Sequence, residues 1–351
     1  MVLIKVLIFI VTSILATGAQ AQSSGNGILD QSFFDNYIHR SVTIAQNPEV
    51  VRINYVDAAA TALSNTTERG VILMIHGFGS TSYGFHKVIS LFTQAGYRVI
   101  APDNRGAGDS NHPMDMDGYR KTNLAADLHT LLQLHLNITQ PVHVVGHDIG
   151  GLIAHAYSSQ YPQDVTSVTW GECTIPGSTY FNEVRNSPQF WHYNFLRQLD
   201  LPETLTKDRV RQFFQWFFSE ALIVNTAAIN SAELDYIASK YEAAGGMRCG
   251  ANLYRNFDRD AEDNLRLLAE NGKSTVPSMS LFAANLIEAG ASAGDEFYEN
   301  PRRGLVHNSG HFIAKENPQE FVSEVLGFLE SLEGAGTGRF LPDLPLFGLE
   351  H

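Results

Sequence analysis

Asp148 lies where an apolar stretch runs into glycines, a position in which a carboxylate has chemical uses. The stretch "VHVVGHDIGG" places this aspartate between Gly146 and Gly150. Small residues around a strand-to-helix turn let the chain reverse tightly and push the central side chain out at the carboxyl edge of a sheet. Open α/β sheets bind ligands at that edge, next to a helix N-terminus. The alternative is a structural carboxylate that only caps the following helix.

Three further segments carry groups that complement a carboxylate. "HGFGS", from His76 to Ser80, directly follows an apolar run, and "APDNRGAGDS" accompanies the next such run. Near the end of the chain, "NSGHF" places His311 after a glycine, behind the last apolar run of this kind. Imidazole is the most frequent general base in enzymes. A lone histidine is more often structural, so His311 gains weight only together with the other segments.

Taken together, these motifs resemble those of the α/β-hydrolases, and specifically of their epoxide hydrolase and dehalogenase branch. The resemblance covers roughly Phe34 to Leu332. It implies that Asp148 is a nucleophile, that His311 is the base, and that the backbone N–H groups of Phe78 and Ile149 form an oxyanion hole. One departure is Gly79, where epoxide hydrolases usually carry proline.

The acid that would orient His311 has two possible locations. Many relatives place it after the strand predicted over Pro277–Asn285, where Glu288, Asp295 and Glu296 follow at a short distance. Secreted Cif-type epoxide hydrolases place it one strand earlier, in an E-x-x-I-P context that resembles the surroundings of Glu172. We therefore expect Glu172 to be the acid.

Two residues of a helical insert resemble the substrate-facing donors of the Cif-type enzymes. "QFWHYNF" contains His192 in a Trp-His pair, and "ANLYRNF" contains Tyr254 in a Tyr-Arg pair. The resemblance implies that both donate hydrogen bonds to the substrate oxygen. Tyr193 and Tyr180 are the alternative donors. Plain packing is the competing interpretation for each, because the insert is rich in aromatic residues.

The elements that must position these residues follow from hydrophobic patterning. Apolar runs bounded by glycine or proline predict strands, and helical spacing of apolar residues predicts helices between them. The predicted strands are 71–76, 98–102, 141–145, 165–170, 277–285 and 304–307, and the predicted helices are 85–96, 122–136, 150–160 and 318–332. Alternation of short strands and helices predicts βαβ units with parallel strands.

We therefore expect an α/β-hydrolase fold, with a mostly parallel sheet, helices on both faces and an inserted helical cap. The core is predicted over 22–176 and 263–333, and the cap over 177–262. Residues 334–351 are predicted to be a loose C-terminal extension. Residues 1–21 have a lysine, a short apolar run and a small-x-small site, which predict a cleaved signal peptide and a secreted protein. An uncleaved anchor is the alternative.

Two features are consistent with export but do not establish it. Asn65 and Asn137 each begin a glycosylation sequon, a triplet that also occurs often by chance. The two cysteines, Cys173 and Cys249, would form one disulfide in an oxidising compartment or remain two buried thiols.

The composition of the chain argues against some classes of binding partner and cofactor. The 351 residues carry a formal net charge of −13, which argues against nucleic acid or an anionic membrane. There is no zinc-like Cys/His spacing, and the implied chemistry needs no metal or organic cofactor.

Aromatic residues of the insert suggest an apolar substrate, although packing is the simpler explanation for most of them: Phe213, Phe214, Trp216, Phe217 and Phe218. The oligomeric state is left open.

The expected function is hydrolysis of an apolar epoxide to a vicinal diol through an ester on Asp148. Dehalogenation uses the same nucleophile and base. Haloalkane dehalogenases typically have Asn at the position of Phe78 and Trp at that of Ile149, and fluoroacetate dehalogenases have Arg at the latter. Both residues therefore favour the epoxide hydrolases. A non-nucleophilic Asp148 and an inactive binding protein on the same fold are the remaining alternatives.

Overall fold

The computed structural model describes residues 27–45, 50–61, 68–219, 222–283 and 287–337. Several sequence-based predictions fall outside these ranges: the signal peptide over 1–21, the sequon at Asn65, and most of the extension predicted over 334–351. The sequon at Asn137 lies inside them, on an exposed residue with a φ of 52°.

A single mixed sheet contains the eight strands of the described chain. Its order is β1-β2-β4-β3-β5-β6-β7-β8. Strand β2 pairs antiparallel with β1 and β4, and every pairing from β4 to β8 is parallel. The strands are β1 Ile38–Ala45, β2 Val50–Ala58, β3 Gly70–Ile75, β4 Tyr97–Pro102, β5 Val142–His147, β6 Val165–Gly171, β7 Ser278–Ala283 and β8 Arg302–Val306. The six predicted strands lie within two residues of the observed ones, and β1 and β2 were not predicted.

Helices precede, connect and follow these strands. Those outside the insert are α1 Gln31–Asn36, α2 His86–Gln94, α3 Lys121–Thr130, α4 Ile149–Gln160, α12 Ile287–Phe297, α13 Ile313–Glu316 and α14 Pro318–Thr337. Those of the insert and its junction are α5 Thr179–Val184, α6 Trp191–Leu196, α7 Leu201–Thr206, α8 Val210–Ser219, α9 Ser231–Glu242, α10 Gly246–Arg255 and α11 Phe257–Asn271.

Alternate side chains of the central strand enter two different cores, which explains the continuous apolar runs in the sequence. Every residue of β5 is buried. Val144 packs in the cluster that contains Leu128 of α3 and Ile153 of α4. Val145 belongs to the cluster on the other face, with Val88 of α2 and other side chains of α2 and α14. A parallel strand covered on both faces has no polar side to alternate. The predicted fold, with helices on both faces, is therefore confirmed.

Two predicted helices end elsewhere. The helix predicted over 122–136 is α-helical only from Lys121 to Thr130 and continues as a π-helical turn from Leu131 to His135. The C-terminal helix, predicted to end at residue 332, continues to Thr337, inside the region predicted as a loose extension. Helix α11 runs through position 262, where the sequence places the end of the cap.

One buried and one partly exposed ion pair attach the insert to the core. Lys121 at the start of α3 contacts Asp260 of α11 at 2.7 Å, and both side chains are almost fully buried. Arg120 makes a bidentate contact with Asp263. Burying such charges is tolerated only when each one is paired. These pairs fix the position of α11, which leads out of the cap.

Neither cysteine side chain is joined in a disulfide. Cys173 and Cys249 are both buried, and the open question about their pairing is settled in favour of two thiols. Burial raises the pKa of the Cys173 thiol well above its usual value. Across the described ranges, every helix is too short or too polar to span a bilayer.

Candidate active site

Asp148 lies on a strained turn between β5 and α4. Its φ and ψ are 56° and −129°, a conformation that non-glycine residues rarely adopt. Glycine is required on both sides, because a Cβ at Gly146 would overlap the carbonyl of Gly150, and one at Gly150 would overlap the carbonyl of Ile75. The Asp148 side chain makes no capping hydrogen bond to α4, so the capping alternative is wrong.

The carboxylate of Asp148 contacts a backbone donor and an imidazole. The N–H of Phe78 donates to Oδ1 at 2.7 Å, and Nε2 of His311 lies 3.5 Å from Oδ2. Burial raises the pKa of Asp148, but the hydrogen bond and charge of His311, with the Ile149 N–H, outweigh burial and lower it. The two backbone groups predicted for an oxyanion hole thus both face this carboxylate.

Glu172 contacts the other side of the imidazole. Its Oε2 lies 3.3 Å from Nδ1 of His311, and its Oε1 accepts the N–H of Ala283 at 2.6 Å. Glu172 directly follows β6 and has a φ of 54°. Burial lowers the pKa of His311, but its hydrogen bonds to Asp148 and Glu172 and their charges outweigh burial and raise it to about 10. The imidazole is therefore protonated between two carboxylates.

The alternative acids lie in other contacts. Asp295 pairs with Arg303 at 2.6 Å, and Glu296 accepts the N–H of Thr179 at 3.0 Å. The side chain of Glu288 lies outside the described residues. Of the candidate acids whose side chains are described, Glu172 alone contacts His311, as the sequence predicts. Its catalytic role remains a prediction.

A cavity of about 190 Å³ lies between this charged cluster and the cap. Its lining is mainly apolar, and it includes both predicted donors of the cap. The lining residues used below are Phe78, Asp148, Phe190, His192, Phe217, Leu222, Val224, Tyr254, Phe282 and His311. Among the five aromatic residues of α8 that suggested an apolar substrate, Phe217 is in this lining and the other four are not.

Tyr254 and His192 contribute polar groups to the cavity wall. Their ring centroids are 5.9 Å apart, and Tyr254 is only 1% exposed. Neither side chain has a hydrogen-bond partner among the residues that the structure describes. Burial lowers the pKa of His192 to about 4, so the ring is neutral and carries one N–H at neutral pH. Burial and the Asp148 charge raise the pKa of Tyr254 well above its usual value, so it stays an O–H donor.

The alternative donors differ from these two. The hydroxyl of Tyr193 lies 3.2 Å from that of Thr174, so it already has a partner. Tyr180 lines the cavity, and burial raises its pKa. Tyr254 and His192 thus line the same cavity as Asp148 and are available as donors, as is Tyr180, while the role of each toward a substrate remains a prediction.

Gly79 makes a contact that proline could not make. Its φ is +66°, and its N–H donates to the hydroxyl of Tyr241 in α9 at 2.8 Å. Proline has no N–H and is fixed near −65°. The backbone at Gly79 therefore has a conformation that the proline of the usual motif could not adopt. In this conformation its N–H forms a hydrogen bond to the cap. The backbone N–H of Phe78 still reaches Asp148.

Two residues that sequence reasoning missed support the site. His147 Nε2–H donates to the carbonyl of His311 at 2.6 Å, and burial lowers the pKa of His147 to about 4. Tyr241 accepts the bond from Gly79. The position of His147 next to the nucleophile candidate could have indicated its role from the sequence. Nothing in the pattern around Tyr241 distinguishes it from aromatic residues that only pack.

The "APDNRGAGDS" segment folds around a buried carboxylate and does not enter the cavity. Asp103 accepts hydrogen bonds from the N–H groups of Ser82 and Asp109, at 2.8 and 2.9 Å. Arg105 makes a buried bidentate contact with Asp127 of α3. This motif therefore stabilises the loop beside the "HGFGS" turn. The residues with described placement include no group of three or more histidine, cysteine or acidic side chains arranged to hold a metal ion.

Sequence comparison places the chain among known proteins. A family model of the alpha/beta hydrolase fold matches residues 70–222. The chain is 27% identical over 277 residues to a soluble epoxide hydrolase of Corynebacterium sp., a match that covers 74% of this chain and 90% of the relative. It is 26% identical over 301 residues to epoxide hydrolase A of Mycobacterium tuberculosis, with 75% and 91% covered.

Solved structures with a similar fold agree with the similarity in sequence. Cfl2 from Burkholderia cenocepacia superposes with a TM-score of 0.75 at 28% identity, over 84% of this chain and 96% of the other. The Cif epoxide hydrolase from Acinetobacter nosocomialis superposes with a TM-score of 0.71 at 21% identity, over 83% and 89%, which is a likeness of fold. The protein therefore has the α/β-hydrolase fold, and its sequence resembles those of the epoxide hydrolases in that superfamily.

Proposed function

We propose that this protein hydrolyses an apolar epoxide to a vicinal diol through an ester on Asp148. One observation carries the proposal. The Asp148 carboxylate contacts His311, which in turn contacts Glu172, and it lines an apolar cavity whose wall on the cap side includes Tyr254 and His192. The epoxide hydrolase activity of the curated relatives supports the same reaction class.

The first step uses the two walls together. A carboxylate oxygen of Asp148 attacks an epoxide carbon, the C–O bond of the ring breaks, and an alkyl ester forms on the enzyme. The departing alkoxide is a poor leaving group and needs a proton or strong hydrogen bonds as it develops. The O–H of Tyr254 and the N–H of neutral His192 supply them from the cap side of the cavity.

The second step follows from the change in charge. Esterification removes the negative charge of Asp148, which was one of the two groups that raise the pKa of His311. The pKa of the imidazole then falls, and the proton that it releases neutralises the alkoxide formed in the first step, through the donors of the cap or through water. Neutral His311 next takes a proton from the water molecule that attacks the ester carbonyl carbon. Glu172 stabilises the resulting imidazolium.

The tetrahedral intermediate needs donors for its oxyanion. The N–H groups of Phe78 and Ile149 face the carboxyl group, and one such donor is worth about 3–4 kcal/mol in other hydrolases. Collapse of the intermediate expels the diol alkoxide, which takes the proton from His311. The Asp148 carboxyl group, which still carries the second proton of the water, passes that proton to His311. The enzyme regains the Asp148 carboxylate, with one oxygen from water, and the sum of the steps is epoxide plus water to diol.

The lining supports an apolar substrate for this reaction. Hydrophobic and aromatic side chains make up much of the wall, including Phe78, Phe190, Phe217, Leu222 and Phe282. Such a wall favours burial of hydrocarbon by about 25 cal/mol per Å². A haloalkane would find no indole or amide side chain at the positions of Ile149 and Phe78, where dehalogenases carry halide donors.

Trapping the ester tests the proposal. A His311→Gln variant incubated with a panel of terminal, disubstituted and aryl epoxides should gain the mass of the epoxide on the peptide that contains Asp148. An Asp148→Asn/His311→Gln double variant is the control and should gain none. If wild type forms no diol and the variant forms no adduct with any epoxide, the nucleophile assignment is wrong. Adducts from haloalkanes alone would indicate dehalogenation instead.

We also propose that the chain is secreted after cleavage behind Ala21. The lysine, apolar run and small-x-small site of residues 1–21 carry this proposal. Expression of the full chain in a secreting eukaryotic host should yield medium protein that begins at Gln22. A product that remains in the membrane fraction with residues 1–21 attached would contradict it.

A further inference from the structure

Glu316 is a buried carboxylate for which the proposed reaction has no use. It ends α13, is 5% exposed, and accepts four backbone N–H groups. Two of these donors belong to the loop of the proposed base, and two belong to the cap. The contacts are Gly310 N at 2.9 Å, Phe312 N at 3.0 Å, Val224 N at 2.8 Å and Asn225 N at 2.9 Å.

The loop donors flank His311. Gly310 precedes the imidazole-bearing residue and Phe312 follows it, so the two bonds to Glu316 fix the backbone on both sides of His311. The N–H of His311 itself donates to the carbonyl of Leu222 at 2.6 Å. A Cβ at position 310 would overlap that same carbonyl, so only glycine lets the two backbones approach this closely.

The cap donors belong to residues 222–225, which form part of the cavity wall. Leu222 and Val224 line the cavity beside His311. The carboxylate of Glu316 therefore joins the base loop to the part of the cap that touches the substrate space. Three of the four N–H groups converge on one oxygen, Oε2, and the fourth donates to Oε1, so both oxygens must accept, as a carboxylate can and an amide cannot.

We propose that Glu316 is a positioning residue for His311, which it holds in place by clamping the base loop to cap residues 222–225. The proposal rests on the proposed function, and it assigns Glu316 to the second step. Ester formation depends on Asp148 and on the donors of the cap. Ester hydrolysis depends on where His311 places its Nε2 relative to water, and a misplacement of about 1 Å costs on the order of 10²-fold in rate.

The two steps are separable by steady-state kinetics. When ester formation is irreversible, kcat/KM reports only the steps up to the ester, whereas kcat is limited by the slower of formation and hydrolysis. A defect confined to hydrolysis lowers kcat and KM by the same factor and leaves kcat/KM unchanged. Loss of folded enzyme, by contrast, lowers kcat and kcat/KM together and leaves KM unchanged.

The experiment compares Glu316→Gln with Glu320→Gln. Glutamine keeps the size of Glu316 but turns an NH₂ toward N–H donors. Glu320 is a matched control because it also accepts a backbone N–H, from His307 at 2.8 Å, on the same loop but away from His311. We expect kcat and KM of Glu316→Gln to fall in parallel by roughly tenfold to 10²-fold. The ester should accumulate in the steady state, as read by intact mass, and Glu320→Gln should match wild type.

Other outcomes overturn the inference. A fall in kcat at constant KM, with no accumulated ester, means that Glu316 only supports folding. A parallel fall in the Glu320→Gln control means that the effect is not specific to the clamp. Glu316→Asp, which keeps the charge but shortens the reach, gives the same readout if the glutamine variant does not fold. Wild type that forms no ester and no diol would refute the proposed function instead.

Discussion

The two walls of the cavity are built on different principles. On the core wall, Asp148, Glu172 and His311 all have hydrogen-bond or ion-pair partners, and Phe78 donates to the nucleophile candidate. On the cap wall, Tyr254 and His192 have no hydrogen-bond partner among the described residues. Groups that stabilise charge during a reaction must be oriented beforehand, whereas groups that bind a substrate must have hydrogen-bond donors that no protein group already occupies. The polar groups of the core wall are therefore paired within the protein, whereas those of the cap wall are free to bind a substrate.

The largest effect should come from the core wall, with Asp148→Asn. Because the amide cannot act as the carboxylate nucleophile, we expect diol formation to fall by at least about 10³-fold. The fold should persist, since an amide oxygen still accepts the N–H of Phe78. Initial rates with a responsive epoxide, together with the thermal midpoint, check this. Activity within tenfold of wild type would contradict the covalent mechanism.

A smaller loss should follow from removing one donor of the cap wall. Tyr254→Phe keeps the ring packing and removes the O–H, so we expect a loss of about 10²-fold in the rate of ester formation. His192→Gln should cost less if the two donors share the alkoxide. Rapid-quench measurement of ester in a His311→Gln background reports this step alone. Equal ester formation with and without the Tyr254 hydroxyl would assign the residue to packing.

The free energy of unfolding should depend on pH through His311 of the core wall but not through His192 of the cap wall in the neutral to alkaline range. The folded-state pKa of His311 is raised to about 10, so its proton stabilises the native state fully below the unfolded pKa of about 6.5. This contribution is lost as the pH rises from about 6.5 to about 10, because the unfolded state has already released the proton that the native state still holds. His192, whose pKa is lowered to about 4, contributes no such loss in that range.

Chemical denaturation across this interval provides the measurement. The free energy of unfolding of wild type should fall with rising pH more steeply than that of His311→Gln, while His192→Gln should follow wild type. Identical slopes for wild type and His311→Gln would show that the imidazole is not held between two carboxylates.

The smallest effect should come from the hydrogen bond between Gly79, which follows Phe78 on the core wall, and Tyr241 of the cap. Tyr241→Phe removes the acceptor of the Gly79 N–H and should cost about 1 kcal/mol of stability. Leaving that buried N–H without a partner should also loosen the turn that carries Phe78. Gly79→Pro tests the same turn more severely, because neither the φ of +66° nor the donor survives. A Gly79→Pro variant as stable as wild type would contradict the observed turn.

The sequence was informative where one local pattern carries one physical constraint. Paired glycines around Asp148 predicted the tight turn, and apolar runs predicted the six strands from β3 to β8 within two residues. It missed β1 and β2, although the first residues of β2 alternate between exposed and buried side chains. It also ended the C-terminal helix at its last clear apolar residue, whereas that helix continues to Thr337. It left the pairing of Cys173 with Cys249 open, because spacing along the chain does not reveal distance in space.

By itself, the sequence determined the order of nucleophile candidate, acid and histidine, and the resemblance that gives them roles. Only the tertiary structure decided which carboxylate contacts His311, since Glu172 follows β6, whereas Asp295 and Glu296 lie in α12, behind the neighbouring strand β7. It alone revealed Tyr241, His147 and Glu316. The partners of His147 and Tyr241, and two of the four donors to Glu316, lie far away along the chain. A hydrogen bond between distant segments leaves no periodic trace in the sequence.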